Sequence, residues 1–289
     1  MHTRSLVYVT PLAFLLLSTC GKSPTAADPV GKAVLVMSSN WTGQYDIWLR
    51  DSTDHLIDLT PGTEFFDVSP TWSPDGQHIA FASNRGGNGY FVYVMNPDGS
   101  GVKKLSDTAN AEPAWSPDGL RIAFLGGTDI WTGNPDGSQF QRLTFGGATS
   151  PSWSPDGQKI AFVCYDATPP NAEICTITTA GLDTTNLTND PGRDYAPQWS
   201  PDGQKIAFYS DRSVRFEIYV MNADGSGQVR LTDFYTSSIN PTWSPDGRLI
   251  LFSEDDPNVG RRLYVMNPDG TNQRIIPNTS GAESASFRP

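Results

Sequence analysis

The sequence predicts an all-β fold, a six-bladed β-propeller with four-stranded blades. Three observations lead to this fold: a motif P-x-W-S-P-D-G that recurs five times, turn signals roughly every 8–12 residues, and short β-rich runs without helical periodicity. The motif copies are centred on Trp72, Trp115, Trp153, Trp199 and Trp243. Their spacings of 43, 38, 46 and 44 residues match the period of about 40–45 residues that is typical of propeller blades.

Each repeat unit contains one blade, with strands a to d from the inside of the ring to the outside. In the first unit, Trp72 lies in strand a, residues 79–81 lie in strand b, and residues 91–95 form strand c. Residues 73–76, Ser-Pro-Asp-Gly, predict a tight turn between a and b, because Pro fixes φ and Gly tolerates a left-handed conformation. Residues 96–99, Asn-Pro-Asp-Gly, predict the same kind of turn between c and d. We interpret the repeated Asp as a turn residue and the repeated Trp as a core residue between blades.

The two ends of the chain predict how the ring closes. Phe287 lies 44 residues after Trp243 and begins a Phe-Arg-Pro sequence that resembles Trp-Ser-Pro. No further blade follows this strand, whereas residues 33–60 contain only strands b, c and d of a unit. We therefore expect the sixth blade to combine one C-terminal strand with three N-terminal strands, which leaves no unpaired edge in the ring.

Residues 1–19 are predicted to be a signal peptide, with a basic start and an apolar stretch over 6–17. This stretch is shorter than the roughly 20 residues that a membrane-spanning helix needs. The sequence Leu-Ser-Thr-Cys that follows resembles a bacterial lipobox, so we expect residues 20–32 to be a lipidated Cys20 and a flexible tether. An ordinary signal peptide with an incidental cysteine is the alternative. The propeller then spans 33–289.

The composition and the motifs argue against several functions. Twenty Lys and Arg against 31 Asp and Glu give a formal net charge of −11, which repels nucleic acid. The three His residues do not have the spacing of a zinc motif, and the chain has no G-x-S-x-G motif of a serine hydrolase. No catalytic residue is predicted.

Cys164 and Cys175 are predicted to form a disulfide. Cys164 ends strand b and Cys175 lies within strand c of the same blade, in a chain that is expected to be exported. Closing a loop of about a dozen residues is worth on the order of 3 kcal/mol in the chain-entropy account. A one-residue shift in register would place the two side chains on opposite faces of the sheet and leave two buried thiols, so that alternative stays open.

The loops divide a propeller into two faces. The a–b and c–d turns share one face, the turn face, and the b–c and d–a loops share the other, the loop face, where they vary in length and sequence. Because variable loops on a rigid scaffold often carry function, we predict a partner-binding site on the loop face. Aromatic anchors would surround an acidic centre, with these residues: Phe65, Phe66, Asp67, Glu112, Asp194, Tyr195, Phe234, Tyr235, Asn240 and Glu283. One alternative is that the aromatic residues fill the loop bases. The repeat register also places a polar ring of residues just before strand a, close to the axis, and the other alternative is that this ring is only a hydrated channel mouth. Its members are Ser69, Glu112, Ser150, Ala196, Asn240 and Ser284.

The repeat units W-S-P-D-G-Q-K-I-A-F, S-N-R-G-G and I-Y-V-M-N-x-D-G-S-G resemble the TolB-type, WD40-like propeller repeat over residues 33–289. The resemblance implies a propeller of the bacterial cell envelope. Together with the signal peptide, it leads us to expect a non-enzymatic lipoprotein that faces the periplasm, needs no cofactor and binds a protein or peptide through its loop face. It would touch the membrane only through its lipid.

A second functional hypothesis is a propeller that binds or cleaves glycans. It would hold a hard cation such as Ca²⁺ through Asp67, Glu112, Asp194 or Glu283, because carboxylate oxygens are the ligands that Ca²⁺ prefers.

Overall fold

The computed structural model describes residues 34–62, 64–106, 110–165, 171–233, 235–258 and 260–289. In this part of the chain, 24 strands form six antiparallel four-stranded sheets, and the described residues include no helix. The prediction of a six-bladed, all-β propeller is confirmed. The predicted signal peptide over 1–19, Cys20 and the tether up to residue 32 lie outside the described residues.

Blades 1 to 5 each use four consecutive strands, a to d. Blades 1 and 2 contain β4 (Asp67–Trp72), β5 (Ile79–Ser83), β6 (Phe91–Met95), β7 (Lys103–Lys104), β8 (Asn110–Trp115), β9 (Ile122–Gly126), β10 (Asp129–Gly133) and β11 (Gln141–Arg142). Blades 3 and 4 contain β12 (Ala148–Trp153), β13 (Lys159–Tyr165), β14 (Ala172–Thr178), β15 (Thr185–Asn186), β16 (Asp194–Trp199), β17 (Lys205–Ser210), β18 (Glu217–Asn222) and β19 (Val229–Arg230). Blade 5 contains β20 (Ser238–Trp243), β21 (Ile250–Asp256), β22 (Gly260–Met266) and β23 (Arg274–Ile275).

Blade 6 closes the ring with strands from both ends of the chain, as predicted. Its strand a is β24 (Ala282–Phe287), and its strands b, c and d are β1 (Leu35–Ser39), β2 (Asp46–Arg50) and β3 (Leu56–Asp58). Phe287 pairs with Leu35, and Ser284 pairs with Ser38. On the turn face, the backbone N–H of Arg288 donates to the carbonyl of Val34 at 2.9 Å, so the two ends meet there.

The repeated aromatic residue of strand a fills the space between neighbouring blades. Trp72, for example, packs in a cluster with Ile47 of blade 6 and with Phe81 of blade 1. The other four Trp residues occupy the corresponding clusters. In blade 6 this position belongs to Phe287, which is buried against Leu251 of blade 5 and Leu35 of blade 6. The interpretation of the repeated Trp as core is confirmed.

The five Ser-Pro-Asp-Gly turns show why their Asp is repeated. In each turn, the Ser hydroxyl donates to the Asp carboxylate at 2.5–2.7 Å. In the first turn, the N–H of Gly76 donates to the carbonyl of Ser73 at 2.8 Å, and Gly76 has a φ of 64°, in the left-handed region that glycine tolerates. The hydrogen bond from Ser73 lowers the pKa of Asp75. The Asp therefore stabilises its own turn.

Cys164 and Cys175 are joined by a disulfide in blade 3, with their Cα atoms 5.8 Å apart. The register pairs Cys164 with Glu173 and Cys175 with Phe162. The two cysteines are therefore diagonal neighbours on one face of the sheet.

Candidate functional site

A central channel runs along the axis of the propeller and is lined by the six inner strands. Its volume is about 360 Å³. Near its loop-face end, blades 1 to 5 each have a β-bulge, at which one residue with a positive φ precedes a proline. These residues are Ser69, Glu112, Ser150, Ala196 and Asn240, with φ between 48° and 58°. The prediction placed them just before strand a, but they lie inside it.

The bulge explains how these side chains reach the channel. A left-handed residue breaks the alternation of the strand and redirects its side chain, and the proline that follows has no N–H to offer to the ladder. In blade 6 the irregularity occurs at Glu283, and Ser284 occupies the ring position without a following proline. Each non-glycine residue in this left-handed conformation costs on the order of 1–3 kcal/mol of folding free energy. The surrounding structure therefore has to stabilise the bulged residues in this conformation.

Glu112 is the one carboxylate of this ring. Its Oε2 accepts the backbone N–H of Ser150, in the next blade, at 2.6 Å. Burial raises the pKa of the Glu112 carboxyl above its usual value, and the hydrogen bonds from Ser150 offset part of the rise. The charged form of Glu112 is therefore more costly in the channel than in water.

Asp67 and Asp194 do not form an acidic centre, which corrects the prediction. Both carboxylates are fully buried at the start of strand a. Asp67 pairs with Arg85 at 2.6 Å, and Asp194 pairs with Arg212 at 2.8 Å. Each charge is neutralised inside the protein, so neither residue is available to a partner.

Glu283 is also compensated within the protein. Its carboxylate accepts a hydrogen bond from the hydroxyl of Tyr45 and lies 3.4 Å from the guanidinium of Arg261. Asn240 donates its side-chain N–H to the backbone carbonyl of Glu283 at 3.1 Å and so connects blades 5 and 6. The predicted acidic centre is therefore reduced to Glu112.

The described members of the predicted aromatic set fall into two groups. Phe65 and Phe66 are each 39% exposed and Tyr235 is 93% exposed on the loop face, as an anchor requires. Tyr195 instead packs against Tyr209, with ring centroids 5.5 Å apart. Phe234 lies outside the described residues.

Further exposed aromatic residues were missing from the prediction. Of the seven aromatic side chains that are at least 36% exposed in the described residues, six lie on the loop face: Phe65, Phe66, Tyr90, Phe145, Tyr165 and Tyr235. The seventh, Phe140, is on the turn face and packs edge-on against Phe124. Tyr90 and Tyr165 flank b–c loops, whereas the predicted aromatic anchors lie in or next to d–a loops; Phe145 lies in a d–a loop as well. The same sequence signal, an aromatic residue in or beside a loop, therefore also occurs at the b–c loops.

The prediction also did not include Tyr209, although comparison of the repeat units shows that it differs from the residues at the same position in other blades. It follows Ile-Ala-Phe in strand b, where other blades have Ala82, Val163 or Ser253. Burial raises its pKa to about 12, and the nearby charge of Glu112 adds to the rise. Tyr209 therefore lies within electrostatic reach of the channel carboxylate.

The residues proposed for Ca²⁺ are not assembled into one site. Two of them, Asp67 and Asp194, are paired with arginines, and Glu283 is paired with Arg261. Among the described residues, no group of three or more His, Cys, Asp or Glu side chains is placed to hold a metal ion.

Within the same ranges, we find no helical segment with the length and apolarity needed to cross a bilayer.

Comparisons with known proteins agree with this architecture. The structure of TolB from Acinetobacter baumannii superimposes with a TM-score of 0.76 at 20% identity, over 91% of this chain and 68% of that one. Tol-Pal system protein TolB of Syntrophus aciditrophicus is 46% identical over 44 residues, and the uncharacterized peptidase YuxL of Bacillus subtilis is 36% identical over 63 residues. These segments are 15% and 22% of this chain, but only 10% and 9% of those two relatives.

The family comparison covers much more of the chain than these local similarities. The profile of the TolB beta propeller domain matches residues 20–147 and 136–289. With six blades, the repeated Ser-Pro-Asp-Gly turns and the closed ring, the chain belongs to the TolB beta propeller domain family.

Proposed function

We propose that this protein is a non-enzymatic component of the bacterial cell envelope that binds a protein or peptide through its loop face. The observation that carries the proposal is the placement, on that face, of six of the seven exposed aromatic side chains in the part of the chain that the structure describes. Membership of the TolB propeller family supports an envelope role. A Tol-Pal system protein among the relatives supports it further.

Exposed aromatic rings on a rigid face are suited to protein binding. They supply a large contact area, and such anchors dominate binding energy in many interfaces. The turn face differs, because its large exposed side chains are mostly aliphatic, as with Val102, Leu120 and Leu182. These three residues provide a matched control for the loop face.

A triple substitution tests the assignment of the binding face. Phe65→Ala, Tyr165→Ala and Tyr235→Ala together are expected to weaken binding of a partner captured from envelope extract by at least about 2 kcal/mol, or roughly thirty-fold. The reason is that all three rings are exposed on the loop face and available to the partner. Binding of the purified partner is measured by calorimetry.

The control is the turn-face variant with Val102→Ala, Leu120→Ala and Leu182→Ala, which is expected to bind like the wild type. Loss of binding in this control, with full binding by the folded loop-face variant, would reverse the assignment.

We also propose that Cys20 carries a lipid and that the protein is anchored to an envelope membrane, facing the periplasm. The lipobox-like sequence at residues 17–20 supports this proposal. Cys20→Ala is expected to move the protein from the membrane fraction to the soluble fraction, because the lipid would be its main membrane contact. Fractionation of cells measures the change. The Cys164→Ala, Cys175→Ala variant should stay in the membrane fraction, and a soluble wild type would refute the anchor.

A further inference from the structure

The six inner strands provide an internal comparison for Glu112. The positions that correspond to it are occupied by Ser69, Ser150, Ala196, Asn240 and Ser284, all of them neutral and smaller than Glu. The same bulge forms with Ser, Ala or Asn in four other blades, so the fold does not require a carboxylate. Glu112 nevertheless remains in a position where burial raises its pKa. A charge that costs stability and is not needed for folding suggests a ligand.

The carboxylate of Glu112 has its hydrogen-bond partner in Ser150 and has no cationic partner among the described residues. Oε2 is taken by the N–H of Ser150. The other carboxylates of the predicted acidic centre, Asp67, Asp194 and Glu283, have arginine partners within the protein. For Glu112, no ion pair is found among the described residues. The cavity that it faces, of about 360 Å³, lies within the range of about 300–1,000 Å³ that is common for ligand pockets.

An aromatic cluster lies at the loop-face end of blade 4. The rings of Tyr195, Tyr209 and Phe216 pack together with centroids 5.2–6.0 Å apart. Glu112 is close enough for its charge to act on the Tyr209 hydroxyl. Aromatic faces attract cations, and the attraction is stronger where water is excluded. Glu112 therefore places a carboxylate in the channel, with the aromatic cluster of blade 4 within electrostatic reach, and both features favour a cationic group.

We propose that Glu112 binds a primary ammonium group of the partner, from a lysine side chain or a chain N-terminus, inserted into the channel from the loop face. A guanidinium binds best when both carboxylate oxygens are free for two parallel bonds, but here one oxygen is occupied. An ammonium needs only one carboxylate oxygen and can direct its other N–H groups to the neighbouring serine and asparagine positions. This inference rests on the proposed function and names the chemistry of its central contact.

The test uses short peptides as probes and the intact protein. The peptide acetyl-Gly-Lys-Gly-amide is compared with the same peptide carrying norleucine, which has a similar shape and no charge. We expect the lysine peptide to bind at least ten-fold more tightly in a calorimetric or NMR titration. This difference should disappear in Glu112→Gln and persist in Glu64→Gln, which removes an exposed loop-face carboxylate. Unacetylated Gly-Gly-Gly-amide shows whether an N-terminal amine can take the same place.

Melting curves distinguish lost binding from unfolding. Because burial raises the pKa of Glu112, the Glu112→Gln variant is expected to melt at or above the wild-type temperature at neutral pH. Equal binding of the lysine and norleucine peptides, or no binding of any amine probe, would overturn the proposal. Binding of Ca²⁺ that depends on Glu112, without amine binding, would do the same. If the amine probes fail while the loop-face aromatic variant still loses its partner, only this inference fails and the proposed function stands.

Discussion

Deletion of residues 282–289 is expected to prevent cooperative folding or to lower the melting temperature by more than about 10 °C. The deletion removes β24, the inner strand of blade 6, and exposes the edge of β1. It also removes Phe287, which is buried between blades 5 and 6. Loss of a buried Phe side chain alone costs about 3–5 kcal/mol, and each kcal/mol corresponds to roughly 2–4 °C in a domain of this size.

Thermal unfolding followed by circular dichroism measures this effect. Phe287→Ala separates the contribution of the ring from that of the strand, and it should fall between the wild type and the deletion. A synthetic peptide of residues 280–289, added in excess, should restore part of the lost stability by pairing with β1. A truncated protein that melts at the wild-type temperature would be incompatible with closure through β24.

Asp194→Ala is expected to lower the free energy of unfolding by about 3–5 kcal/mol. Asp194 is fully buried, and its two carboxylate oxygens accept hydrogen bonds from Arg212 at 2.9 and 2.8 Å. The guanidinium also lies over the rings of Phe208 and Tyr219, 5.5 and 5.0 Å from their centroids. Removing the carboxylate leaves a largely buried cation with only the longer contact to Asp190, at 3.7 Å, which is more costly than the loss of the pair itself.

Urea unfolding at neutral pH measures this loss. Asp233→Ala is a suitable control, since Asp233 is 80% exposed and its pair with Arg230 spans 3.2 Å. Surface pairs of this kind contribute about 0–1 kcal/mol. The double variant Asp194→Ala, Arg212→Met should recover part of the stability, because the unpaired charge is gone. Unfolding of Asp194→Ala at the wild-type urea concentration would show that the buried pair contributes little.

The fold could be predicted because each blade repeats the same local chemistry. Five copies of one turn and one aromatic position fixed the number of strands per unit, and Phe287 showed that the ring closes with a sixth inner strand. These features depend on neighbouring residues in the chain. Position 287 has Phe where the other five blades have Trp, and this aromatic ring fills the corresponding space between blades 5 and 6.

The candidate site was less predictable because its charges are compensated over long distances in the sequence. Tyr45 contacts Glu283, 238 positions away, and no local sequence pattern predicts that contact. Asp67 and Asp194 begin their strands two residues before the bulge, so their side chains turn into the blade while Glu112 faces the channel. The Ser-x-Arg sequences that end strand b were the available signal. Their arginines are Arg85 and Arg212, which pair with Asp67 and Asp194.

With a lipid on Cys20, as proposed above, the position of Val34 would determine which face of the propeller lies nearer the membrane. Val34, the first described residue, lies on the turn face, so the proposed tether would join the propeller on that side. A flexible segment of this length has an r.m.s. span of about 18 Å, so a lipid on Cys20 would keep the turn face close to the bilayer surface. The channel mouth and its exposed aromatic residues would then point away from the lipids. Such a protein would bind partners located in the aqueous space, and not partners embedded in the membrane leaflet that holds its own lipid.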